Sequence, residues 1–353
     1  MPGEPVRIKP SGFMPRAKSP GSAAAPQNGQ ASHLRAAIAR DLRPDTLCRV
    51  LEALKNQWKR YRKCLKKCQQ EFSEPAVHNS RVETRRLLSM LELLGPFLGP
   101  ARLKKARAAL KRHLDTFDDL RDTHVQLILV GQYKDRFPGL TPFAQYLTRR
   151  EKRFTRKTRK NIKRIKTKRL GKLLTAWHRE IGKSYAEGTS RNTHAMLQNG
   201  MQVAFNRTVE LKAKIDPAET TTIHRTRVAF KRFRYMIEVV TGLFPGPHKQ
   251  LLCSLHDYQT LMGVIQDAEV LLQTFEKFLT KQNELEPETG ARFSRELLER
   301  RRQLVDKFLG GADQLFAFDP GPQAAPGGGK PKPGSKTASR SDSRQAPASD
   351  ANL

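Results

Sequence analysis

The sequence is short of acid, thin in aromatic residues and nearly free of cysteine, and no part of it is a long apolar run. No stretch reaches the roughly 20 apolar residues that cross a bilayer. The N-terminus lacks the apolar segment of a signal peptide. No membrane is therefore expected as a partner. The four cysteines, Cys48, Cys64, Cys68 and Cys253, read as reduced thiols and point to a cytoplasmic protein. Cys64 and Cys68 lie one helical turn apart, but no second ligand pair with zinc spacing accompanies them, so no metal and no cofactor is expected. Aromatic residues make up 7% of the chain. Helix-turn-helix, zinc-finger and RNA-recognition signatures are all missing. Segments of convincing strand alternation are missing too.

Acid is the most telling deficit. Asp and Glu number 34 against 66 Lys and Arg, giving a formal net charge of +32 over 353 residues and a pI near 10.5. That excess argues for a polyanionic partner such as nucleic acid, an anionic membrane or polyphosphate, and says nothing about fold. The length suffices for one large or two medium domains with a real core.

Both ends are rich in Pro, Gly, Ala, Ser and Lys and read as disordered tails, residues 1–35 and 319–353. Between them, residues 36–318 carry helical periodicity broken by a few Pro and Gly clusters. The pattern predicts helices over about 45–72, 73–95, 100–131 and from 141 onward. Glycines 182 and 188 mark a break. A second set follows over about 190–214, from Asp216-Pro217-Ala218-Glu219 to 243, 248–281 and 287–309. Asp216 is expected to cap its helix. The first four helices form one bundle (about 40–186), the next four a second (about 190–318).

Each set contains the same basic stretch. His78-Asn-Ser-Arg81-Val-Glu-Thr-Arg85-Arg86 and His224-Arg-Thr-Arg227-Val-Ala-Phe-Lys231-Arg232 both fit H-x-x-R-V-x-x-[RK]-R, and 224 − 78 = 146 residues separate them. At about 100° per residue, His78, Arg81 and Arg85 stack within roughly 60° of one another, with Arg86 flanking them. His224, Arg227, Lys231 and Arg232 repeat that geometry. Leu87, Leu88, Leu91 and Leu94 fall on the opposite side of the first copy, and Phe233, Ile237 and Val240 on that of the second. Like charges three or four residues apart on a helix repel. A solvated face would not favour such a column twice, whereas an anionic ligand offsets the repulsion.

The repeat continues into the third helix of each set, where Asp122 aligns with Asp267 at an offset of 267 − 122 = 145. Both are read as acids that orient motif arginines through charge-assisted hydrogen bonds. The features of an enzyme are weak. Gly182-Lys183-Ser184 resembles the end of a P-loop, but Trp177 stands at the required first glycine. Asp118, Asp119 and Asp122 form the one tight acidic group, and their spacing divides them between faces, which does not suit Mg²⁺. No catalytic residue is expected.

These residues resemble the CHAD family, the conserved-histidine α-helical domain. The later copy, His224-Arg-Thr-Arg227-Val-Ala-Phe-Lys231-Arg232-Phe-Arg234-Tyr235, matches the family pattern in full. Arg121-Asp122 and Gln266-Asp267 resemble the family's acidic pairs, with Gln in place of Asn. Leu88 stands where many members have arginine. The resemblance covers about residues 40–310. It implies an all-α fold of two pseudo-symmetric antiparallel four-helix bundles with a basic central cleft or channel. It also implies binding of inorganic polyphosphate and association with polyphosphate granules. By motif position the ligand residues are His78, Arg81, Arg85, Arg86, His224, Arg227, Lys231, Arg232 and Arg234. No CYTH triphosphatase motif accompanies them. The rival reading is general nucleic-acid binding, with the basic run Arg149–Lys172 on the phosphate backbone and nucleic acid as a secondary polyanion.

Overall fold

The computed structural model describes residues 46–95, 100–186, 193–243, 248–282 and 284–321. Among them the regular structure is all helical: α1 (Thr46–Glu71), α2 (Glu74–Leu93), α3 (Pro100–Asp115), α4 (Asp118–Tyr133), α5 (Thr141–Lys163), α6 (Lys168–Ala186), α7 (Thr193–Lys212), α8 (Thr220–Thr241), α9 (Lys249–Leu279) and α10 (Pro287–Gly311), with short 3₁₀ turns at Pro138–Leu140 and Ala312–Phe318. The tails expected over 1–35 and 322–353 lie outside the described residues. Residues 319–321, expected in a tail, pack on the helices: Asp319 Oδ1 accepts from the Gly321 N–H at 2.9 Å and from Gln202 Nε2 at 3.3 Å.

α1 shows how the sequence makes these helices. Leu47, Val50, Leu51, Leu54, Tyr61, Leu65 and Cys68 recur at helical spacing and are all buried, forming one apolar stripe. Phe72, in the left-handed region at φ 46°, reverses the chain. Ser73 then stands at the N-cap of α2, with a proline in its first turn. Pro there suits a turn whose N–H groups lack partners in any case.

Two predicted helices are each broken once. The third is interrupted at Thr116–Phe117, giving α3 and α4. Phe117 is buried at the break, and Asp118 and Asp119 open the first turn of α4, where acids are favourable. The fourth breaks at 164–167. There Gln69 of α1 donates to the carbonyls of Ile162 (2.9 Å) and Ile165 (3.3 Å), satisfying backbone groups that the missing turn leaves open. In the second half α9 runs unbroken. Asp216 does not cap a helix as expected. It accepts from the Ala218 N–H at 2.8 Å in a turn, and α8 begins at Thr220 with Glu219 at the N-cap.

α1 packs on α2 as α7 packs on α8, and α5 on α4 as α10 on α9. The motif helices α2 and α8 pack on each other, and so do α4 and α9. Of the apolar sides read from the motifs, Leu87, Leu91, Leu94, Phe233, Ile237 and Val240 are buried, and Leu88 is partly buried against the same core. The core does not divide at the repeat. The larger cluster runs from Leu47 to Phe318 through α2 and α8. The smaller joins Val130, Phe143 and Leu147 to Leu271, Phe275 and Phe293. Each therefore draws on both halves.

Candidate functional site

Where α2 and α8 meet α4 and α9, cations from three helices converge. Arg81 and Arg85 come from α2, Arg121 from α4, and Arg227 and Lys231 from α8. Each acts electrostatically on several of the others. The acids beside them are Asp118, Asp122 and Asp267.

The acids do not serve all five cations. Arg81 is fully engaged: it is 6% exposed, pairs with Asp118 at 2.9 Å and donates to the Leu114 carbonyl at 3.2 Å. Its guanidinium also lies 5.9 Å from the Phe117 ring. It thus fastens both sides of the α3–α4 break. Arg121 reaches Asp122 at 4.0 Å and Asp267 at 3.6 Å. For Arg85, Arg227 and Lys231, no carboxylate stands within ion-pair distance among the described residues. Arg227 lies over Gly263, its Nε 3.7 Å from where a Cβ would stand, and that Nε is buried without a hydrogen-bond partner.

Lys231 registers the imbalance most strongly. Burial, then the charges of Arg85, Arg227, Arg81 and Arg121, push its pKa down to about 5. Burial and Arg85 also draw Arg81 down to about 10. Both motif histidines border the same cluster. Burial, followed by Arg85, Arg121 and Arg81, lowers His78. Burial, followed by Arg227, lowers His224, which has a hydrogen-bond partner in Gln266. His224 Nδ1 is buried without a partner. A low-dielectric site raises the cost of unneutralised charge, which shifts these groups toward their neutral forms.

Three of the nine residues carried over from the motifs lie apart from this group, bonded to carboxylates. Arg86 pairs with Glu83 at 2.9 Å and Glu238 at 3.5 Å. Arg234 pairs with Glu238 at 2.8 Å and contacts His256 Nδ1 at 3.1 Å. Arg232 pairs with Glu92, which also holds Arg107 at 3.0 Å. Glu238 and Glu92 thereby tie α2 to α8 through these arginines. The motif alone does not separate these arginines from Arg85 or Lys231.

The structure corrects the acid assignment as well. The carboxylate on Arg81 is that of Asp118, and Asp122 and Asp267 share Arg121. Arg121 is the cluster member that the repeat did not supply, because Gln266 takes its place in the second half. Its signal was the Arg121-Asp122 dipeptide. The neighbouring acid Asp119 binds Lys157 at 3.0 Å. Among the described residues, no group of three or more His, Cys, Asp or Glu is placed to hold a metal ion, and no helix is long and apolar enough to cross a membrane.

Comparison with known proteins agrees with this architecture. The sequence matches the CHAD domain family over residues 49–276. The fold is similar to the crystal structure of the CHAD domain from the plant Ricinus communis, at 17% identity and a TM-score of 0.51, covering 77% of this chain and 89% of that one. It is also similar to PptA from Streptomyces chartreusis, at 15% identity and a TM-score of 0.53, covering 77% of this chain and 98% of that one. At these identities the likeness concerns the fold. No curated protein matches the sequence. With the family match spanning both motif helices, the chain belongs to the CHAD domain family.

Proposed function

We propose that the protein binds inorganic polyphosphate at the cluster of Arg81, Arg85, Arg121, Arg227 and Lys231, with His78 and His224 at its border, and so associates with polyphosphate granules. The observation that carries this reading is the surplus of cations: Arg85, Arg227 and Lys231 face one another without a carboxylate partner, and Lys231 is driven to about 5. Such a site is improved by an anion with many oxygens. A polyphosphate chain has about one negative charge per phosphate and no base or sugar to accommodate. Arginine forks match its oxygens, and Lys231 supplies a point charge. A nucleotide strand holds its phosphates farther apart, with bulk between them.

The activity is binding without turnover. Asp118 and Asp119 are already bonded to Arg81 and Lys157, and Asp122 and Asp267 both face Arg121, which supports a reading without metal-assisted hydrolysis. The test is the double substitution Arg85→Gln with Lys231→Gln. Charged hydrogen bonds contribute about 1.5–3 kcal/mol each, so polyphosphate affinity at physiological salt falls more than tenfold while helix content is retained. Unchanged binding overturns the assignment. Release of phosphate from polyphosphate with Mg²⁺ overturns the absence of turnover.

A further inference from the structure

The first half carries a second basic surface that the repeat does not explain. Between Glu52 and Glu71 the chain has seven Lys and Arg and no acid, and between Glu151 and Glu180 it has thirteen and no acid. The matching helices of the second half mix their signs: α10 pairs Arg301 with Glu269, Arg302 with Glu299, and Glu296 with Arg136. α3 adds Lys104, Lys105, Lys111 and Arg112 against its single acid Asp115, and the surplus is densest on α1, α5 and α6.

These helices form a continuous layer. α1 packs on α5 and α6. Gln69 holds the 162–165 corner, and Trp58 lies against Gly171, where an added Cβ would stand 3.1 Å from the indole. Glycine at 171 therefore permits the close approach of α1 and α6. Arg62 and Lys66 share the Trp58 and Gln69 side of α1, and Lys168 shares the Gly171 side of α6, by their spacing of three or four residues, with Lys172 one turn beyond Lys168. Lys163 and Lys166 flank the corner. All six are exposed, and none forms an ion pair among the described residues.

Concentrated like charge on neighbouring helices opposes folding, and nothing in the core requires it. The surface also lacks apolar contacts. The exposed large hydrophobics, Ile128, Val203, Val228, Leu298, Leu309 and Phe316, all lie off α1, α5 and α6. Trp58 in the seam is only partly exposed, with the Arg62 guanidinium 5.9 Å from its ring, so the described surface offers no fully exposed platform on which single-stranded bases stack and no apolar face to enter a lipid surface. An open, purely cationic layer suits a stiff polyanion with its phosphates on the outside.

We propose that the seam between α1 and α6, with the corner at 163–166, is a second polyanion site, one that binds double-stranded nucleic acid through its phosphate backbone without reading sequence. It is independent of the polyphosphate reading of the central cluster.

The test compares the full chain with two variants. The seam variant carries Arg62→Gln, Lys66→Gln, Lys163→Gln, Lys166→Gln and Lys168→Gln. The cluster variant carries Arg85→Gln and Lys231→Gln. Probes are a 20-base-pair random DNA duplex, a single strand of equal length, inorganic polyphosphate at matched phosphate concentration, and vesicles containing phosphatidylserine. The seam variant is expected to lose at least about tenfold in duplex affinity, and its salt slope to fall by about one for each phosphate contact removed. Its polyphosphate affinity changes less than about threefold, and the cluster variant keeps its duplex affinity. Circular dichroism checks that both variants remain helical. Duplex binding that survives in the seam variant overturns the proposal. So does a loss that is equal for duplex and polyphosphate, or a parent chain that prefers vesicles or single strands to the duplex.

Discussion

Arg121 of α4 reaches Asp267 of α9 at 3.6 Å, so a cation of the first half is held by an acid of the second. The same Asp267 also stabilises the charge of Arg227 on α8. One carboxylate thus moderates two members of the cationic cluster. Replacing it with Asn should lower thermal stability in phosphate-free buffer by about 1–2 °C, the shift that about 1 kcal/mol produces in a chain of this length. Added polyphosphate should restore most of that loss, because a ligand bound only by the folded state stabilises it. Calorimetric melting with and without polyphosphate checks this, and a loss that the ligand leaves untouched counts against a shared electrostatic role.

Arg81→Ala should act chiefly on stability. Its side chain is buried and joins Asp118 to the Leu114 carbonyl across the α3–α4 break. Removing it leaves a backbone acceptor and a carboxylate without their partner, which costs about 2 kcal/mol or more, discounted because Asp118 is half exposed. Denaturant unfolding should show the loss. Arg85→Ala, with no such bonds, should unfold nearly as the parent does.

Lys231→Met should stabilise the free protein. The folded-state pKa of Lys231 is about 5 against an ordinary 10.5. The unfolded chain therefore binds more protons between those values, and stability conferred at this position rises with pH across that window. Methionine removes the buried amine that must give up its proton on folding, and with it the pH dependence. The variant should melt higher at pH 7, by at least about 2 °C, and its stability should vary less between pH 6 and 9. It should bind polyphosphate more weakly. A variant less stable than the parent at every pH would show that Lys231 has a structural partner.

Binding of polyphosphate should take up protons at pH 7. Lys231 is mostly neutral in the free protein, and His78 and His224 lie below their ordinary value. A phosphate oxyanion among them favours the charged form of each. Titration calorimetry in buffers of different ionisation enthalpy should give an uptake of about one proton, and affinity should fall by up to about tenfold per unit as pH rises above neutrality. Proton release, or none at all, would remove Lys231 from the site.

The helices and their apolar sides were legible because both are local. Leu87, Leu91 and Leu94 repeat with the turn of one helix, and neighbours in the chain set that spacing. The excess charge and the doubled motif were equally plain. What the sequence could not contain was the pairing of each arginine. Arg85 and Arg86 are adjacent and chemically identical, yet Arg86 meets Glu238, 152 residues away, while Arg85 meets other cations. A turn of about 100° separates their side chains, and the helix facing each one determines its role. The two breaks have the same origin, since Arg81 and Gln69 stabilise them from helices distant in sequence. Local periodicity determined which residues are helical and which side is apolar; the packing of α2 on α8 decided which cations meet a carboxylate and which do not.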